Sequence, residues 1–104
     1  MNHLDDKGKP LDHHLIERMQ TGVRMEKRMV KVLKGLAEYL DISLGDLLEG
    51  IVLHAFAGKA PFSDHTLEQI ARLKEIYGMD YDVEASHRLW EITSRQEEEH
   101  QDAL

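Results

Sequence analysis

The pattern of apolar and polar residues predicts a short strand near the start of the chain. Thr21, Val23 and Met25 alternate with polar or small residues toward the end of residues 18–25. This alternation is typical of a strand with one apolar face, although Gly22 weakens the prediction. A lone strand cannot satisfy its own backbone N–H and C=O groups, and no second strand follows it in the sequence.

Three later segments have the apolar spacing of three and four residues that is typical of amphipathic helices. The first spans residues 26–40, the second lies between Ser43 and Gly58, and the third ends at Gly78. Gly35 inside the first helix costs about 1 kcal/mol against alanine and would permit a close helix contact. In chain order, the three apolar stripes are Met29, Leu33, Leu36, Ala37 and Leu40; Leu44, Leu47, Leu48, Ile51, Val52, Ala55 and Phe56; and Leu67, Ile70, Ala71, Leu73 and Ile76.

Residues with short polar side chains indicate where the helices begin. Ser43 is a good N-cap for the second helix, with Asp46 three residues later as in a capping box. Either Ser63 or Asp64 can cap the third helix. No strong N-cap side chain precedes the first helix, although the acidic Glu26 suits its positive first turn.

The ends of the chain differ from its centre. Asp82 can cap a fourth helix that would carry Val83, Leu89, Trp90 and Thr93, and the acidic end QEEEHQDAL is expected to fray. Residues 1–17 are polar and mixed in charge, which predicts a flexible N-terminal arm. The predicted organisation is therefore this arm, a core of residues 18–58, and a helical C-terminal extension of residues 59–104 with an acidic tail.

The chain is acidic as a whole, but its positive charge is concentrated in one block. Residues 18–34 hold six basic residues and one acid, a net charge of +5, so with a total of -7 the remaining residues carry -12. A local cation patch can attract DNA while an acidic remainder discourages spread-out binding. The same block could also be the solvated face of a helix.

Motifs that would indicate catalysis or metal binding are not found in the sequence. There is no cysteine, P-loop, G-x-G-x-x-G or G-x-S-x-G, so we expect neither an enzyme nor a cofactor. The seven histidines are scattered, which gives no metal site. No run of about 18 apolar residues and no signal segment occurs, which predicts a cytoplasmic protein without a membrane partner.

Four short motifs occur in order over about residues 20–56. They are Val23-Arg24-Met25, then Leu36-Ala37-Glu38-Tyr39-Leu40, then Asp41-Ile42-Ser43, and then Asp46-Leu47-Leu48. This order resembles the ribbon-helix-helix family of Arc/MetJ/CopG-type DNA-binding proteins. The resemblance implies a mostly α fold in which one short N-terminal strand pairs across a homodimer, which agrees with the missing second strand. Two chains related by a two-fold axis would pair antiparallel there.

The resemblance also implies which residues would contact double-stranded DNA. A two-stranded ribbon fits the major groove, and its outward residues Gln20, Gly22 and Arg24 would read bases, although Gly22 lacks the usual polar side chain. The backbone at the start of the second helix would hold a phosphate, and cations of the first helix would add contacts. The expected phosphate-binding residues are Lys27, Arg28, Lys31, Ser43, Leu44 and Gly45.

Two functions remain open at this point. The resemblance implies a homodimeric, sequence-specific transcriptional regulator, either a repressor or an antitoxin-like protein whose residues 62–104 bind a protein partner. Alternatively, the same dimer serves as a protein-interaction module without DNA binding. Gly22 on the reading face and the net charge of -7 favour the alternative.

Overall fold

The structure is a computed structural model that describes residues 14–92. Its regular elements are three helices, α1 (Lys27–Leu40), α2 (Leu44–Phe56) and α3 (Asp64–Tyr77), followed by one 3-10 turn, Val83–Ala85. The prediction of a mostly α chain is therefore confirmed for this part. None of these helices is long and apolar enough to cross a membrane.

The helix ends follow the predicted caps with one correction. The hydroxyl of Ser43 accepts a hydrogen bond from the Asp46 amide at 3.0 Å, and Ser63 accepts one from the Thr66 amide at 3.3 Å. The sequence indicated no side-chain cap for α1, but the carboxylate of Glu26 accepts from the amides of the second and third helical residues, Arg28 and Met29. Glutamate is a rare N-cap, so propensity alone did not identify it.

The chain turns between α1 and α2 over three residues, Asp41, Ile42 and Ser43. Asp41 lies in the left-handed region at φ 60, and the Ile42 amide donates to the carbonyl of Ala37 at 3.0 Å. This arrangement satisfies carbonyls that the helix end would otherwise leave free. The tight turn brings the apolar stripe of α2 back onto α1.

The core is small and has α1 at its centre. Leu36 and Ala37 of α1 and Leu47 of α2 are buried together, and apolar residues of all three helices pack around them. α1 packs against both α2 and α3. The partly buried residues around this centre are Leu33, Leu40, Ile51, Phe62, Ile70 and Leu73.

The predicted fourth helix is wrong over the described residues. Asp82 does cap the Val83 amide, at 3.0 Å, but only one 3-10 turn forms and His87 then takes a φ of 65. Val83, Leu89 and Trp90 do not repeat at three and four residues, so no apolar face holds a helix there. Thr93 and the acidic tail lie outside the described residues.

Residues 14–26, which we call the N-terminal segment, form neither helix nor strand within the described part of the chain. The strand predicted over residues 18–25 is thus not formed in the single chain. On the predicted apolar face of this strand, Thr21 and Val23 are exposed, and Met25 is 39% exposed. Residues 1–13 of the predicted arm lie outside the described residues.

A large part of the apolar surface stays in contact with solvent. Between residues 14 and 92, the buried hydrophobic residues are Val32, Leu36, Ala37 and Leu47. The outer face of α2 exposes Val52, Leu53 and Phe56 at 44%, 66% and 83% of their surface. Large apolar residues grouped on one helix face usually mark an interface.

Candidate nucleic-acid interface

The three predicted base-reading residues, Gln20, Gly22 and Arg24, lie exposed on the N-terminal segment. The guanidinium of Arg24 forms an ion pair with the carboxylate of Glu91, near the end of the described chain. Both side chains are largely exposed, so the ion pair is screened by solvent. Arg24 is therefore accessible, but it has an intramolecular partner in the free chain.

A second arginine of the N-terminal segment is held in the same way. Arg18 donates from Nη2 and Nε to the two carboxylate oxygens of Glu49 on α2, at 2.8 Å and 3.1 Å. These hydrogen bonds from Arg18 lower the pKa of Glu49. The sequence pattern gave no indication of this pair, because 31 residues separate its members.

The predicted phosphate contacts on α1 differ in their surroundings. Lys27 and Lys31 are exposed, and the ammonium of Lys31 lies 5.9 Å from the centre of the Tyr77 ring. Lys34 is also exposed, one turn further along. These lysines present positive charge on α1 where a phosphate backbone could reach it.

Arg28, in contrast, is engaged within the chain. Its guanidinium donates to Glu26 at 3.1 Å, to the carbonyl of Gly78 at 2.8 Å and to Asp80 at 3.3 Å. It also lies 5.5 Å from the centre of the Tyr81 ring, a cation–π distance. The sequence predicted Arg28 as a phosphate contact, whereas the structure places it between α1 and the chain that follows α3.

Glu26 lies at the centre of these contacts. The Tyr81 hydroxyl donates to it at 2.6 Å, and it also accepts from Arg28 and Met29. Partial burial raises the pKa of Glu26, but the hydrogen bonds from Tyr81, Arg28 and Met29 outweigh burial and lower the pKa to about 2. Burial, then the hydrogen bond to Glu26, raise the pKa of Tyr81 to about 12. The ionised carboxylate thus fixes the junction between the N-terminal segment and α1.

The start of α2 has the features expected of a phosphate site. Ser43 and Gly45 are exposed and Leu44 is half-buried. A Cβ atom at Gly45 would meet nothing within 4 Å, so a ligand can approach this backbone closely. The first amides of a helix have no partner inside the helix and attract anions. Asp46 in the same turn opposes an anion, since it adds negative charge.

The structure brings the predicted residues together only in part. The reading residues and lysines lie along the N-terminal segment and α1, whereas Ser43, Leu44 and Gly45 lie at the opposite end of α1. The arginines have partners from distant parts of the chain that the sequence pattern did not indicate. Arg28 contacts Asp80 and Tyr81, Arg18 contacts Glu49, and Arg24 contacts Glu91. Only the fold brings such acids to their arginines, because no local motif encodes these pairs.

Comparison with known proteins does not assign the chain to a family. No family model, no curated protein and no solved structure matches this chain.

Proposed function

We propose that the chain is a homodimeric, sequence-specific DNA-binding transcriptional regulator that inserts an antiparallel β-ribbon into the major groove. The observation that carries the proposal is the lack of backbone partners in the N-terminal segment. Between described residues, no backbone–backbone hydrogen bond reaches residues 14–25, although they adjoin a well-capped pair of helices. The backbone N–H and C=O groups of this segment would gain hydrogen-bond partners if a second copy supplied an identical strand.

The exposed apolar residues support a dimer. Val23 on the N-terminal segment and Val52, Leu53 and Phe56 on α2 are exposed in the single chain. A two-fold axis would bring both sets against a second copy, so that the helices form a shared four-helix core. A small domain gains most stability from such burial, since its own core is limited.

The charge distribution supports DNA as the ligand. Lys27, Lys31 and Lys34 present cations on α1, next to the segment that carries Arg24. Side chains on a ribbon reach base edges in the major groove, where arginine can donate two hydrogen bonds to guanine. A repressor or an antitoxin would both use this arrangement, the latter with residues 62–104 as the surface for a protein partner.

Selection of bound sites from randomised duplex DNA tests the proposal. We expect enrichment of a palindromic site, because a two-fold dimer reads two half-sites. On that site Arg24→Ala should cost about 1–3 kcal/mol and relax one base position in each half-site. Arg72→Ala, which removes an exposed arginine from α3, should leave affinity and sequence preference unchanged. An unenriched pool would refute sequence-specific binding.

A second function is favoured by the intramolecular partners of the arginines. Arg24 pairs with Glu91, and Arg28 is held by Glu26 and Asp80, in a chain of net charge -7. This distribution suits a dimer that binds proteins and not DNA. Such a module would be dimeric yet show no binding to random duplex DNA at low salt, where electrostatic binding is strongest.

A further inference from the structure

Each of the two arginines of the N-terminal segment is bound by a glutamate from the folded part of the chain. Glu49, on α2, accepts hydrogen bonds from Arg18 with both carboxylate oxygens, at 2.8 Å and 3.1 Å. Glu91, which follows the 3-10 turn, pairs with Arg24 across a sequence separation of 67 residues. The two acids come from different elements, and each contacts the N-terminal segment only because the chain is folded.

We infer that Glu49 and Glu91 compete with DNA for the N-terminal segment, so that the free protein is autoinhibited until DNA displaces them. The inference rests on the proposed function, because it assigns Arg24 to the reading face. It adds a regulatory contact within the same chain, between the segment that reads DNA and two carboxylates that occupy its arginines.

The chemistry makes the two states mutually exclusive. A guanidinium offers a planar set of donors that fits a carboxylate, a phosphate or the edge of guanine through the same N–H groups. Arg18, whose Nη2 and Nε both donate to Glu49, cannot direct those groups at a phosphate. Arg24 donates to Glu91 through Nη2, and this group has to leave Glu91 before it can donate to a base.

The competition is specific to the arginines. Within residues 14–92, Lys27, Lys31 and Lys34 take part in none of the ion pairs, whereas Arg18, Arg24 and Arg28 each have a carboxylate partner. The lysines of α1 are therefore available for the first electrostatic approach to DNA. The reading segment follows only after its arginines have exchanged partners.

The strength of the competition is limited by exposure. The side chains of Arg24 and Glu91 are 82% and 58% exposed, and those of Arg18 and Glu49 are 66% and 47% exposed. Exposed pairs are weak and are screened further by salt. The two glutamates therefore reduce DNA affinity by a modest factor and do not abolish binding.

The test compares two double variants of the full chain that lose the same charge. Glu49→Gln with Glu91→Gln removes both partners of the N-terminal segment. Glu68→Gln with Glu84→Gln removes two exposed carboxylates that form no ion pair with any described residue. The dissociation constant for one random-sequence duplex is measured for both variants and the wild type at several salt concentrations, and circular dichroism verifies folding.

We expect the first variant to bind about threefold to tenfold more tightly than the wild type at low salt, and the control to change by less than about twofold. The gain should shrink as salt rises, because salt already weakens both ion pairs in the wild type. Equal affinities of the two variants would overturn the inference and leave DNA binding intact. Absence of DNA binding by all three proteins would overturn the proposed function together with the inference.

Discussion

Leu73 of α3 packs so closely on Gly35 of α1 that a Cβ atom at position 35 would lie 2.9 Å from a δ-methyl of Leu73. The glycine that weakens α1 as an isolated helix is therefore the place where α3 approaches it. This contact joins the region predicted as a C-terminal extension to the core of the molecule. The cost in helix propensity, about 1 kcal/mol, is offset by the close packing of the two helices.

Gly35→Val should destabilise the protein by about 1–3 kcal/mol, because the added side chain forces Leu73 and α3 away from α1. Gly50→Val is the matched control on α2, since a Cβ atom at position 50 meets nothing within 4 Å. Urea unfolding followed by circular dichroism measures both. Equal stability of Gly35→Val and the wild type would mean that α3 does not pack at this position.

Acid should weaken the fold through Glu26. Its pKa is about 2 in the folded chain, against an ordinary value of 4.5 for a glutamate side chain, so the folded state binds a proton less readily than the unfolded state. The stabilisation is fully present above pH 4.5 and is lost as the pH falls from 4.5 to about 2. Glu26→Gln should remove this part of the pH dependence, as measured by unfolding at successive pH values.

The control for the acid titration is Glu38→Gln, which changes an exposed glutamate on the same helix. It should retain the loss of stability between pH 4.5 and about 2 that the wild type shows through Glu26. If Glu26→Gln and the wild type differed in stability by the same amount at both ends of this range, the carboxylate of Glu26 would not be stabilised by Tyr81 and Arg28.

Alkali should act on the other member of the hydrogen bond. The pKa of Tyr81 is raised from 10.0 to about 12, so the folded state retains the hydroxyl proton more strongly than the unfolded state. Its contribution is present below pH 10 and is lost as the pH rises toward 12. Spectrophotometric titration should show one tyrosine that ionises about two pH units late, and Tyr81→Phe should abolish that late step.

Tyr81→Phe should also cost about 1–2 kcal/mol at neutral pH, because it removes a hydrogen bond to an ionised carboxylate. Tyr77→Phe is the matched control, since it keeps the ring beneath Lys31. Thermal unfolding of the two variants measures the difference. Unchanged stability in Tyr81→Phe would indicate that Glu26 holds the helix start without this donor.

The proposed shared strand predicts a dimer in dilute solution. The mass from light scattering should be twice the 12.0 kDa of one chain, and the midpoint of thermal unfolding should rise with protein concentration. Val23→Pro should dissociate the dimer, because proline removes a backbone donor from the strand. Leu15→Pro, in the same segment but before the predicted strand, should leave the mass unchanged. Retention of the full dimer mass by Val23→Pro would contradict the shared strand.

Local sequence rules predicted the three helices and several of their ends. The apolar stripes located α1, α2 and α3, and Ser43, Ser63 and Gly78 act at the predicted positions. These features depend on residues within one or two turns of each other, which is the range over which helix periodicity and capping operate. The sequence predicted a close helix contact at Gly35, because a glycine inside a helix permits one. It did not predict that α3 and its Leu73 would make this contact.

Several features that the sequence did not indicate depend on distant contacts. Glu26 caps α1 through the nearby amides of Arg28 and Met29, and the hydroxyl of Tyr81, 55 residues away, donates to the same carboxylate. The partners of Arg18 and Arg24 lie 31 and 67 residues away, so their charge alone suggested free cations. A basic block in a sequence records charge, whereas the fold decides which of its members already have an acid beside them.

The central position of α1 has a consequence for how the molecule opens. Within the described part of the chain, α2 and α3 each pack on α1, and no Cα atom of α2 lies within 8 Å of one in α3. Separation of α3 would therefore uncover one side of α1 while the turn and packing that join α1 to α2 stay intact. A protease that cuts near Gly58 would therefore leave α3 attached to α1 through packing and through the hydrogen bonds of Arg28 to Gly78 and Asp80, without a covalent link.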